Sequence, residues 1–160
     1  MHRTQNDLPA SVREAAVALL NARLADLLDL RLQSKQAHWN VKGPNFIALH
    51  ELFDKAVDAV DEAVDDVAER AIALGGVAHG TIAAVAKSTT LAAYNEQLTQ
   101  GVDHVKALSA AIATTGKGIR AAIDDSAKLG DAGTSDLFTG ISRELDKYLW
   151  MLEAHLQAER

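Results

Sequence analysis

The chain contains no cysteine, so disulfides, thiolate metal sites and cysteine nucleophiles are excluded. It has only two prolines, Pro9 and Pro44, and both fall outside the long periodic stretches, which favours long helices over strands. Aromatic residues are scarce, at 4% of the 160 residues. A basic excess is also missing: the formal net charge is −6, the opposite of what a free duplex-DNA binder presents. No apolar run approaches the roughly 20 residues of a membrane span. Residues 1–10 are polar and lack the apolar core of a secretory signal, so a cytoplasmic location is expected, with nucleoid association left open. What remains is rich in Ala and Leu, in the size range of one domain able to bury a core without staples.

Hydrophobic spacing divides the chain into four long amphipathic helices. Ser11 followed by Glu14 has the pattern of a capping box after Pro9. Val12, Ala16, Leu19, Leu20, Leu24, Leu27 and Leu28 then recur at three and four, to about Asn40, with Gly43-Pro44 as the stop. Asn45 is placed to cap a second helix whose stripe is Phe46, Leu49, Phe53, Val57, Val60, Val64, Val67 and Ala71, ended by Gly75-Gly76 and roughly 45 Å long. Residues 77–97 are less regular: Ser88-Thr89-Thr90 reads as a loop and Leu91 to Leu98 as a short helix. A third long helix is expected over Val102 to Leu129, with Gly116 and Gly118 as a kink or break, since each costs about 1 kcal/mol in a helix interior. Gly130 to Gly133 reads as a turn. Thr134 or Ser135 should cap a last helix carrying Leu137, Phe138, Ile141, Leu145, Leu149, Leu152 and Leu156. The expectation is an all-α fold: one four-helix-bundle domain over 1–160 with a long middle crossover, a short flexible tail over 1–10 and a short C-terminal extension over 153–160.

The residues that can carry chemistry are His38, His50, Asp54, Asp65 and Glu69. Imidazole with carboxylate suits iron, zinc or manganese. His50 and Asp54 are four apart, Asp65 and Glu69 are four apart, and the eleven residues from Asp54 to Asp65 make about three turns, so all four share one stripe of the second helix. Asp54 and Glu69 are nevertheless about 22 Å apart along the axis, whereas metal–ligand bonds are about 2 Å. One copy cannot bring both to one ion. Either there are two separate half-sites, or two chains combine. In an antiparallel pairing of two second helices about a twofold axis, His50 and Asp54 of one copy can face Asp65 and Glu69 of the other, with His38 joining its own chain's half. The Glu-x-x-His pattern of an intra-bundle ferritin site does not occur.

Three segments carry a resemblance. Lys35-Gln-Ala-His-Trp-Asn-Val-Lys-Gly-Pro-Asn-Phe-Ile-Ala-Leu-His50-Glu-Leu-Phe-Asp54, Asp65-Asp-Val-Ala-Glu-Arg-Ala-Ile-Ala-Leu-Gly-Gly76 and Ser135-Asp-Leu-Phe-Thr-Gly-Ile-Ser-Arg-Glu-Leu-Asp-Lys-Tyr-Leu-Trp150 are similar to the signatures of the Dps family of mini-ferritins. The resemblance runs from Leu19 onward. It implies a ferritin-like fold with a short extra helix in the crossover and a hollow dodecameric shell. It also implies an iron-storing and iron-detoxifying ferroxidase that oxidises Fe(II), preferably with hydrogen peroxide, and shields DNA from oxidative damage. The five ligand positions match: His38, His50 and Asp54 from one subunit, Asp65 and Glu69 from its mate. The resemblance makes Glu69 the strongest, bridging ligand, Asp65 and His38 the next, and His50 and Asp54 a weaker second position. Trp39, next to the site, is an expected sink for oxidising equivalents, with Trp150 and Tyr148 assisting. Asp131 and Asp136, at the entrance to the last helix, are expected to line an iron-entry pore, Asp125 with less reason.

Asp58, Asp61 and Asp66 read as a solvated face, His2, His79, His104 and His155 as residues without a partner pattern, and Lys35 and Arg70 as ion-pair residues ordering the site. The alternative function is a nucleoid-associated protein that condenses DNA, with secondary iron chemistry. Against it, the residues before Ser11 offer Arg3 and His2 against Asp7, and Glu153 to Arg160 is no more basic, so DNA binding is expected to be weak or absent.

Overall fold

The computed structural model describes residues 1–157, and among them the only regular elements are helices: α1 (Ala10–Asn40), α2 (Phe46–Ala73), the short α3 (Ile82–Ser88), α4 (Gly101–Leu129) and α5 (Ala132–Gln157). The four long helices form a bundle. α1 and α2 pair as a hairpin, α4 and α5 as a second, and residues 74–100 cross over between them. Lys42 N–H donates to Thr99 O at 3.0 Å, so α4 begins where α1 ends and runs parallel to α2. The core fills the space between the hairpins with Leu20, Leu27, Leu30, Phe53, Val67, Leu108, Ile119, Phe138 and Leu152, each fully buried.

Helix ends depart from expectation where side chains had other partners. α1 begins at Ala10 with Pro9 at the cap position and no side-chain cap, so the Ser11–Glu14 box does not form. Arg13 instead ties the entry down, donating to Leu8 O at 3.0 Å and to Leu74 O at 3.1 Å. Residues 1–9, expected as a flexible tail, lie against the end of α2, with His2 N–H on Gly75 O at 2.6 Å. Asn45 holds the cap position of α2 without a side-chain bond. At the other end α5 runs on through Gln157, so Glu153–Gln157 of the expected extension is helix, while 158–160 lies outside the described residues.

The short crossover helix exists but sits earlier, at Ile82–Ser88, capped by Thr81 Oγ1 on Ala84 N. Leu91 to Leu98 is irregular, and α1 side chains hold the chain at its start. Asp26 accepts from Thr90 N at 2.8 Å and Oγ1 at 3.0 Å, and Gln33 Nε2 donates to Ala92 O at 3.1 Å. Such bonds compete directly with a helical ladder.

α4 is unbroken through Gly116 and Gly118. A Cβ at Gly118 would stand 2.0 Å from Arg23 Nη1, so that glycine makes room for an α1 side chain rather than a kink. α5 begins at Ala132, two residues before Thr134. Its cap is Asp131, whose Oδ1 accepts from Thr134 N at 3.0 Å and whose Oδ2 accepts from Thr134 Oγ1 at 2.5 Å.

Candidate metal centre

The Gly43-Pro44 turn, with Gly43 at φ +114°, reverses the chain and sets the last turn of α1 against the first turns of α2. His38 and His50 meet there, their rings stacked 3.7 Å apart at 20°. The contact is reciprocal: His38 Nδ1 lies 2.8 Å from His50 O, and His50 Nδ1 lies 2.8 Å from His38 O. A carbonyl only accepts, so both Nδ1 atoms carry the proton. In the neutral ring this leaves the Nε2 lone pair free, the tautomer a metal ligand requires, with each ring oriented by its one Nδ1–carbonyl hydrogen bond.

Asp54, one turn beyond His50, lies beside this pair. Its Oδ1 is 3.9 Å from His38 Nδ1 and pairs with the Lys35 ammonium. The Lys35 hydrogen bond, opposed by a smaller effect of burial and helped by the Lys35 charge, holds the Asp54 carboxyl below the usual carboxylate range.

Asp65 and Glu69 lie exposed further along α2. Among the described residues no three His, Asp or Glu side chains of one subunit come together as a metal site. The five expected ligands thus fall into two groups on one chain: His38, His50 and Asp54 in contact, Asp65 and Glu69 apart from them.

A model of the ferritin-like domain matches residues 17–160. The DNA protection during starvation protein of Agrobacterium fabrum is 47% identical over 156 residues, covering 98% of this chain and 96% of its own. The chain belongs to the Dps family. The solved Dps of Mycobacterium smegmatis superposes with a TM-score of 0.93 at 33% identity, covering 99% of this chain and 95% of that one. The Microbacterium arborescens Dps in its high-iron form gives 0.87 at 34% identity, covering 97% of this chain and 99% of that one.

Within this Dps-family subunit, the two carboxylates expected at an entry pore have different fates. Asp131 is 1% exposed and engaged inside the subunit, by Thr134 and by Arg70 Nη2 at 2.6 Å. A carboxylate that caps a helix and neutralises a guanidinium is not free to line a pore, so the expectation for Asp131 is corrected. Burial by itself would raise its carboxyl; the Thr134 hydroxyl and N–H and the Arg70 guanidinium outweigh that and hold it below the usual range. Asp136 is exposed, one turn into α5, and shares a concavity of about 460 Å³ with Asp66 and Glu69. A second concavity of about 420 Å³ lies between α2 and α5, away from the histidines, with Glu62, Asp66, Asp136 and Glu144 on its walls.

Trp39, beside His38 in the chain, is 68% exposed in the subunit, and Trp150 is exposed too. Tyr148 is half-buried on the α2–α5 concavity, and burial pushes its phenol up. Lys35 pairs with Asp54, as expected, whereas Arg70, expected to order the same site, pairs instead with Asp131 at the α4–α5 turn. Sequence reasoning missed the role of His104. It is 1% exposed, and Tyr94 Oη lies 2.6 Å from its Nδ1. The two residues are separated by an irregular stretch, so no periodicity links them.

Proposed function

We propose that this protein is an iron-storage ferroxidase. It takes Fe(II) as substrate at sites between subunits, oxidises it, with hydrogen peroxide as preferred oxidant, and mineralises the ferric product inside a hollow dodecameric shell. The observation that carries the reading is the reciprocal Nδ1–carbonyl pairing of His38 and His50, which leaves an Nε2 donor on each neutral ring, with the Asp54 carboxylate 3.9 Å from His38 Nδ1. Two neutral imidazoles and a carboxylate form an incomplete set for a divalent first-row metal. Asp65 and Glu69 of a twofold-related copy complete it, and zinc or manganese could occupy the same donors. The high-iron form of the Microbacterium arborescens relative supports iron as the substrate.

In this reading His38 and His50 bind as preoriented neutral ligands, and their backbone hydrogen bonds limit reorganisation as iron changes charge. Glu69 and Asp65 supply the anionic charge that favours Fe(III). Asp136, exposed at the start of α5, draws Fe(II) inward through its charge. Consuming peroxide and Fe(II) together removes both reactants of hydroxyl-radical chemistry, which protects DNA without binding it. Trp39 takes up stray oxidising equivalents. The protein acts in the cytoplasm.

The test is anaerobic Fe(II) loading followed by hydrogen peroxide, with an air-oxidised control, for the native protein and the His38→Ala/Glu69→Ala variant. Fast peroxide-driven growth of ferric absorbance, lost in the variant, is expected. Equal rates in both proteins, no faster than buffer, would overturn the reading and bring the DNA-condensing alternative forward.

A further inference from the structure

Behind the histidine half-site lies a second hydrogen-bonded pair that the metal site does not use. The start of α4 packs against the first turns of α2: a Cβ at Gly101 would stand 2.5 Å from Leu49 Cδ1. One turn on, the His104 ring lies 6.4 Å from the ring of Phe53, the residue before Asp54. The ring also neighbours Tyr94, with centroids 6.1 Å apart at 19° and the phenol oxygen 2.6 Å from Nδ1. His104 Nε2 is sealed from solvent without a well-formed hydrogen bond, the backbone of Leu98 and Asn40 lying beside the ring.

We propose that Tyr94, with His104 as its proton acceptor, is an electron donor to the ferroxidase reaction, passing oxidising equivalents from the iron site through Phe53. The inference rests on the ferroxidase reading above. Its motive is an electron count. Peroxide requires two electrons, and one Fe(II) supplies one. Lys35 already neutralises Asp54, so a second Fe(II) at that position must break an existing ion pair.

Tyr94 supplies the missing electron. Fe(II) becomes Fe(III), the Tyr94 phenol becomes a neutral phenoxyl radical, and its proton moves to His104 Nδ1. The O–O bond of peroxide breaks, taking both electrons and two of the protons released as the ferric product hydrolyses, to give two water molecules. The next Fe(II) returns an electron to the radical, and the proton returns from His104.

The surroundings suit this exchange. Burial pushes the Tyr94 phenol up to about 12, so at neutral pH it is protonated and its oxidation must release a proton. Burial, outweighing the opposing charge of Asp103 and backbone hydrogen bonds, lowers His104, which favours the neutral ring; in its tautomer with the proton on Nε2, Nδ1 accepts from the phenol. A buried imidazolium is disfavoured, which drives the proton back once the radical is reduced.

The experiment loads the assembled protein anaerobically with one Fe(II) per site, adds hydrogen peroxide, and follows ferric absorbance and freeze-quenched EPR on the same samples. The chain has two tyrosines, Tyr94 and Tyr148, so assignment is by exclusion. The expected result is a tyrosyl signal that narrows with ring-deuterated tyrosine, survives Tyr148→Phe and Trp39→Phe, and disappears in Tyr94→Phe. His104→Gln, which retains a side chain able to hydrogen-bond the phenol but not a comparable base, should delay its appearance. Deuteration in the native sequence keeps the test informative if Tyr94→Phe is poorly folded. Ferric product with no tyrosyl signal, or with one that Tyr94→Phe retains, would overturn the inference while leaving the ferroxidase intact. Absence of ferric product in the native protein would overturn both.

Discussion

Gly118→Ala is a substitution for which helix propensity and packing give opposite signs. In the interior of α4 a Gly-to-Ala change should stabilise by about 1 kcal/mol. At Gly118 the added methyl would stand 2.0 Å from Arg23 Nη1 and 3.2 Å from its Cζ. The guanidinium would have to leave, and it is bound to Asp26, 3.2 Å away and 1% exposed. Losing a charge-assisted bond to a buried carboxylate costs about 1.5–3 kcal/mol, and Asp26 also holds Thr90 of the crossover. The net is a loss of roughly 0.5–2 kcal/mol. Gly116→Ala is the control: its methyl would meet Arg120 Nη1 at 3.4 Å, an ordinary contact, and the Arg120–Asp146 pair is exposed. That variant should gain up to about 1 kcal/mol. At a few degrees per kcal/mol for a chain of this size, thermal melts at matched protein concentration should place Gly118→Ala below the native protein and Gly116→Ala above it. In an Arg23→Ala background Gly118→Ala should become stabilising, a non-additivity that belongs to residues in contact. If both alanines raise the melting temperature equally in the native background, the steric argument is wrong.

Three further outcomes follow from the same contacts. Asp131→Asn should destabilise at neutral pH by about 2–3 kcal/mol, the lower end for a broken buried pair because Arg70 is a quarter exposed. The native Asp131 carboxyl is held low, so its contribution is present above the ordinary carboxylate range and lost as pH falls through the lowered value; melting curves of the two proteins should therefore converge below about pH 4, and a constant gap would refute this. Lys35→Met should free Asp54 and raise the Zn(II) or Co(II) bound per site in calorimetry; unchanged stoichiometry would show that the ion pair does not limit the second position. Twelve copies at −6 each carry −72, so a mobility shift at moderate salt should show no stable DNA complex, and tight binding would refute the charge argument.

The ferritin-like bundle was legible because each long helix carries its own apolar stripe, a property of spacing alone. The candidate ligand cluster was legible in part. His38 was expected to join His50 and Asp54 on its own chain, and the distance from Asp54 to Glu69 ruled out one metal on one copy. Their tautomers were not legible, since these depend on two carbonyls meeting two rings across the turn. Nor was the burial of Asp131: an Asp at a helix entrance reads equally well as pore lining and as cap, and Arg70, 61 residues away, decides between them.

By itself the sequence determined the helices, the stop at Gly43-Pro44, the family and the five candidate ligands, because periodicity, turn chemistry and residue type are local. Only the tertiary structure decided which end groups cap the helices, where the crossover is helical, why Gly118 is a glycine and that His104 is paired with Tyr94. Each of those depends on a contact between residues distant in sequence or separated by an irregular segment, where the bond that forms is set by which groups packing leaves within reach.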